Sequence, residues 1–171
     1  MILTLPMSLN DIKNLKAGDS VFLSGAVLTA RDCAHKRIDE YLDGNKQLPF
    51  EIKDSVIYYA GPCPAKNGMA SGSCGPTTSS RMESFAPRLL DLGLRAIIGK
   101  GEISKEVVTA IKRNGAIYFS AIGGAGALYA SRINKSECIA FEDLLTEAVY
   151  KLEVKNFPVI VACDSYGNCI Y

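Results

Sequence analysis

Residues 94–124, LRAIIGKGEISKEVVTAIKRNGAIYFSAIGG, decide how the chain folds. Residues 94–98 are a short apolar run of the kind that is buried in a sheet, and Ser104 caps a helical pattern that lasts to Asn114. Gly115 stops that helix, and residues 116–122 form a second apolar strand entering a glycine turn. Strand, helix and strand at this spacing are the grammar of an α/β sheet. The alternation extends in both directions. Residues 21–23 and 26–28 read as strand, Asp32 caps a helix reaching Leu42 with its stop at Asp43-Gly44, and residues 56–60 form a strand ending at Gly61-Pro62. A long Gly- and Ser-rich loop then reaches Thr77, and loops of that length are often functional. Further strands are predicted at residues 138–140, 150–154 and 159–163, with a late turn at Gly167-Asn168. No repeat or linker divides the 171 residues, so the whole chain, 1–171, is read as a single domain.

Composition narrows the partners. With 19 basic and 18 acidic residues the net charge is +1, and no Lys/Arg-rich run stands out, so a nucleic-acid partner is not expected. A small molecule or another protein fits better. The N-terminal residues Met1-Ile2-Leu3-Thr4-Leu5-Pro6 carry no basic leader, and no apolar stretch approaches the roughly 20 residues that span a membrane. A cytoplasmic protein without a membrane segment is therefore expected. Cys33, Cys63, Cys74, Cys138, Cys163 and Cys169 include no C-x-x-C pair and no zinc-like spacing. They are expected to be free thiols acting as small hydrophobes, with no metal site in this chain.

The stretch with the most chemistry is Gly75-Pro76-Thr77-Thr78-Ser79-Ser80-Arg81-Met82. Ser80 and Glu83 have capping-box spacing, and Met82, Phe85, Leu89 and Leu92 follow at roughly helical intervals, which predicts a helix starting here, interrupted or restarted near Pro87 and ending at Gly93. Hydroxyls, backbone N–H groups and a guanidinium at a helix start suit a small anion. A first turn reaching back to Thr77 would set Thr77 and Arg81 on one face; the alternative is an ordinary cap beside a solvated arginine. Two glycine-rich turns are decoys for nucleotide loops. Residues 93–100 have one residue too many for a phosphate loop and Gly101 replaces its Ser/Thr, while Gly123-Gly124-Ala125-Gly126 lacks G-x-G-x-x-G spacing and reads as close packing or a ligand-approaching turn. Lys100, between two glycines, is either a solvated turn residue or an ammonium presented into a cleft. Arg31-Asp32-Cys33-Ala34-His35 groups cation, carboxylate and the only histidine, and His35 is read as an orienting residue rather than a proton donor.

Taken in order, Thr29 to Arg37, Tyr58 to Lys66, the hydroxyl-rich stretch, Ile98-Gly99-Lys100-Gly101 and Ala121 to Ala127 resemble the C-terminal domain, or separate beta subunit, of class I iron–sulfur fumarases and L(+)-tartrate dehydratases. The resemblance runs from Gly18 almost to Tyr171. It implies a swivelling β/β/α domain with a mixed sheet and flanking helices. By the same resemblance Thr77 matches the proposed catalytic base, and Arg31, Arg81 and Lys100 match the residues that hold the dicarboxylate, with Asp32, His35 and Gly75 behind them. A desolvated dianion needs such cations, and guanidiniums can grip each carboxylate as a fork. The resemblance also implies a 4Fe-4S cluster, borne by a partner alpha subunit, whose open iron serves as a Lewis acid on substrate oxygens. The expected function is a hydro-lyase beta subunit interconverting fumarate and (S)-malate. Alternatives are an L(+)-tartrate dehydratase subunit and a non-catalytic assembly or small-anion-binding module.

Overall fold

The computed structural model describes residues 1–66 and 68–171; Asn67, inside the predicted loop, lies outside the described residues. The strands are β1 (Ile2–Thr4), β2 (Ser20–Thr29), β3 (Val56–Tyr58), β4 (Ala96–Gly99), β5 (Ile117–Ser120), β6 (Ile133–Ala140) and β7 (Val149–Cys163). The α-helices are α1 (Leu9–Asn14), α2 (Asp32–Asp43), α3 (Ala86–Asp91), α4 (Lys105–Asn114) and α5 (Gly126–Ala130), with short 3-10 segments at Ser79–Met82 and Glu142–Glu147.

One mixed sheet holds all seven strands in the order β1-β2-β3-β4-β5-β7-β6. Strands β1 to β5 run parallel to their neighbours, whereas β7 is antiparallel to β2, β5 and β6. Because the long β7 pairs with both β2 and β5, strands β2, β3, β4, β5 and β7 close into a ring. The apolar runs of the central strands are explained by burial on both faces. Val56, Tyr58, Ala96, Ile98, Ile117 and Phe119 share one core with Leu23, Leu152, Phe157 and Val161. Their alternating neighbours Ile57, Ile97 and Tyr118 join a second core with residues of the helices: Ala34 and Ile38 of α2, Leu89 and Leu90 of α3, and Val107 and Ile111 of α4. The predicted mixed sheet with flanking helices is what the chain forms.

Helix α4 has its predicted bounds: the Ser104 hydroxyl accepts the N–H of Val107 and Gly115 turns the chain at φ 57°. Other expectations need correction. The two strand pieces at 21–28 are one strand, β2, kinked by a register shift between Leu23 and Gly25, and the two at 150–163 are one strand, β7. Asp32 is the first helical residue rather than the cap of α2; Arg31 holds the cap position without a side-chain bond.

The largest correction concerns residues 75–82. In place of a capped α-helix there is one 3-10 turn, Ser79–Met82, and α3 starts only at Ala86, where Pro87 in the first turn loses no hydrogen bond. The sheet wins the competition for the backbone. Thr77 N–H donates to Tyr59 O at 2.7 Å and Ser79 N–H to Lys100 O at 2.9 Å, so the segment is threaded between the ends of β3 and β4.

Cys163 and Cys169 are not free. An antiparallel bridge brings them together and they form a disulfide, while Cys33, Cys63 and Cys138 are exposed thiols and Cys74 is buried.

Gly99 sits where a side chain would overlap Ser79 Oγ and press on the rings of Tyr59 and Tyr118, each 3.2 Å from the added carbon. Gly99→Ala is therefore expected to destabilise the chain by about 1–3 kcal/mol, the usual cost of overpacking a rigid core, measured by urea unfolding. An unchanged midpoint would mean the threaded segment is not fixed at this point.

Candidate functional site

Four parallel strands end on the same side of the sheet, and each delivers one of the sequence motifs there. Arg31 and Asp32 follow β2, Tyr59 to Gly61 follow β3, Lys100 follows β4, and Ala121 to Gly124 follow β5. Ligand sites of α/β folds, open or closed, form at the carboxyl ends of their parallel strands. The threaded residues Thr77 to Ser79 bring the hydroxyl-rich stretch to the same place.

Arg31 and Arg81 are joined through one carboxylate. Asp32 Oδ2 accepts from Arg81 Nη2 at 2.8 Å and lies 3.5 Å from Arg31 Nε. The stem of Arg31 runs over Gly61, where an added Cβ would come within 3.0 Å of its Cδ. The predicted face shared by Thr77 and Arg81 along a helix is absent, since Thr77 precedes the 3-10 turn and gives its N–H to Tyr59 O; Asp32 is what places Arg81.

Lys100 has its backbone tied to the threaded segment, and its stem passes Gly123 so closely that a Cβ there would meet Lys100 Cδ at 2.9 Å. Among the described residues it makes no ion pair. Thr77 is half-buried, and its hydroxyl has no hydrogen-bond partner among the described residues. Gly75 packs on Gly126: its missing Cβ would stand 3.5 Å from the Gly126 Cα, so the first turn of α5 rests against the loop.

His35 is buried and points away from solvent. Its Nδ1 lies 3.0 Å from Arg31 O, and since a carbonyl only accepts, Nδ1 carries the proton. The ring contacts Tyr59 and Phe85 at 5.2 and 5.6 Å between centroids, and Nε2 has no partner among the described residues. Burial pushes the imidazole down to about 4, against the opposing pull of the Arg31 carbonyl and the Asp32 and Asp39 charges. The neutral ring is tied to the Arg31 backbone by this bond.

Glu147 is the neighbour that sequence reasoning missed. Its Oε1 is 3.4 Å from Arg31 Nε and accepts the Cys33 N–H at 3.3 Å, while Oε2 accepts from the Cys33 thiol at 3.3 Å and raises its pKa. It thereby caps α2 from a distant segment. No local signal marks a residue 114 positions from its partner.

The donor set does not fit a metal cluster. Among the described residues no group of three His, Cys, Asp or Glu is placed to hold a metal ion, and burial pushes the Cys74 thiol up to about 12. Among the described residues no helix is long and apolar enough to cross a membrane.

The sequence matches the fumarase C-terminus family over residues 2–171. The chain belongs to that family. It is 44% identical over 167 residues to a Methanocaldococcus jannaschii protein provisionally named L(+)-tartrate dehydratase subunit beta, a match covering 94% of this chain and 86% of that one. It is 43% identical over 156 residues to fumarate hydratase 2 of Leishmania major, covering 90% of this chain and 28% of that enzyme. Against the aerobic class I fumarate hydratase of Salmonella typhimurium the identity is 39% over 170 residues, covering 97% and 29%. This family member thus spans most of the first relative and under a third of the other two.

His35 makes the stability of the family member depend on pH. Its folded pKa of about 4 lies below the usual 6.5, so between those values the unfolded chain binds a proton that the folded chain does not. Stability then falls as pH falls through that window, by about 2 kcal/mol between pH 7 and 5. Depressed carboxylates such as Asp54 and Asp91 lose their contribution only at lower pH. Urea unfolding of His35→Gln is expected to show this slope flattened, and an unaltered slope would assign it to other groups.

Proposed function

We propose that this chain is the beta subunit of a cytoplasmic hydro-lyase for a C4 dicarboxylate, with fumarate and (S)-malate as the substrate pair. The observation that supports the reading is the placement of Arg31 and Lys100 directly after β2 and β4, with Arg81 bonded to Asp32 and the Thr77 N–H bonded to Tyr59 O after β3. Membership of the fumarase C-terminus family supports it.

In this reading the arginine forks take the substrate carboxylates and Lys100 adds a third positive charge beside Gly123. Thr77 moves the proton at the carbon next to a carboxylate. A threonine hydroxyl is a poor base alone, so the group that activates it belongs to the alpha subunit. That subunit also carries the 4Fe-4S cluster, for which this chain has no fitting donor set. Exposed Met69, Ile122, Leu128 of α5 and Leu145 of the second 3-10 segment support a protein contact. Asp32, His35 and Gly75 support the cations and the loop from behind.

A second reading, L(+)-tartrate dehydratase, is favoured by the name and 86% coverage of the Methanocaldococcus jannaschii relative. Turnover of (S)-malate against L(+)-tartrate by the chain assembled with its alpha subunit decides between them. A non-catalytic anion-binding module is the third reading, and it requires that changes at Thr77 alter association alone.

In the assembled enzyme Thr77→Val is expected to lower kcat by about 100-fold or more with much less effect on KM, the scale of a positioned acid or base, with exposed Thr78→Val as control. Retention of most turnover would remove Thr77 from the chemistry. Arg81→Lys is expected to raise KM despite the kept charge, because an ammonium cannot form the planar two-donor contact. Unchanged kinetics would make Arg81 a surface partner of Asp32 only.

A further inference from the structure

Arg31 is held from one side only. Its Nε faces Asp32 and Glu147 at 3.5 and 3.4 Å, whereas its Nη1 and Nη2 have no acceptor among the described residues. A guanidinium fixed through Nε keeps its two-nitrogen edge available for a carboxylate. The segment that brings Glu147 to this point is itself secured. Arg37 donates to both oxygens of Asp143 at 2.9 Å, the Tyr150 hydroxyl donates to Leu145 O at 3.0 Å, and Thr146 O packs against Gly61 under the Arg31 stem. Leu145 adopts φ 53°, ψ −117°, a conformation that costs free energy for a residue with a side chain, and strain of this kind persists where the surroundings impose it.

We infer that Glu147 is a positioning residue, which fixes the Arg31 guanidinium so that its open edge meets a substrate carboxylate. This rests on the proposed substrate contact of Arg31. Glu147 does not touch substrate. It acts through Arg31 Nε and, by capping α2 at the Cys33 N–H, through the backbone that carries Arg31.

The test uses the enzyme assembled with its alpha subunit and whichever of (S)-malate and L(+)-tartrate the wild type turns over. Glu147→Ala is expected to raise KM about tenfold, with kcat changed by less than about twofold, since both the ion pair to Arg31 and the cap on the Cys33 N–H are lost. Glu147→Gln keeps an acceptor for Arg31 Nε and the Cys33 N–H, and is expected to restore KM to within about threefold of wild type. In an Arg31→Ala background Glu147→Ala is expected to add nothing further to KM, because its effect passes through Arg31. A lowered melting temperature with unchanged KM would leave Glu147 as a helix cap and overturn the proposal. Failure of Gln to rescue, or additive effects in the double variant, would overturn it as well. A wild-type assembly inert on both substrates would instead overturn the reading of the site and the part of Glu147 in it.

Discussion

The arrangement depends on a buried chain of hydrogen bonds centred on Ser79. The Lys100 N–H donates to Ser79 Oγ at 3.1 Å, Ser79 Oγ lies 2.9 Å from the Tyr118 hydroxyl, and that hydroxyl donates to Gly101 O at 2.7 Å. Burial raises the Tyr118 pKa, so its phenol stays protonated and the Ser79 hydroxyl donates to it. Every donor then has an acceptor, as a buried polar chain requires. Two parallel strands end here with backbone groups that need partners, and the loop from β3 provides them by threading back between β3 and β4. The positions of Thr77 and Lys100 follow from these bonds. Among the described residues neither the Thr77 hydroxyl nor the Lys100 ammonium has a hydrogen-bond or ion-pair partner, although the Lys100 stem packs on Gly123.

The closed ring explains why such threading is tolerated. The pairing of β7 with β2 and β5 ties the ring together without using the carboxyl ends of β3 and β4, so those ends can separate around an inserted segment. Small residues make the approach possible. Gly99 lets the Ser79 hydroxyl reach Tyr118, and Gly123 lets the Lys100 stem lie flat across the turn after β5.

What could be read from the sequence was local. Helix α4 was legible because its cap, its apolar face and its αL stop lie within twelve residues, and β3, β4 and β5 because strands buried on both faces are continuously apolar. The family motifs gave the site residues their places in the chain. The helix predicted from Ser80 failed because capping-box spacing is a weak preference and the sheet offered Thr77 and Ser79 better partners. Glu147 and the Cys163–Cys169 pair were illegible because strand pairing, not spacing, brings them to their partners. The three-residue β1 and six-residue α1 are too short for periodicity, and the capping box that Ser8 and Asp11 form at the start of α1 was not read from the sequence.

Stability does not account for the ion pairs at this face. Arg31, Asp32, Arg81 and Glu147 have side chains from 26% to 47% exposed, and pairs so open to water contribute little to folding. Their value lies in geometry: Asp32 sets the distance between two guanidiniums, and Glu147 anchors one of them by the nitrogen that a bidentate grip on a carboxylate leaves unused. The three cations exceed these two carboxylates by one charge. Within the proposed reading a bound dianion reverses that excess, and a desolvated negative surplus is costly. Under that same proposal, positive charge from outside this chain offsets the surplus, a part that the proposed alpha subunit is suited to play.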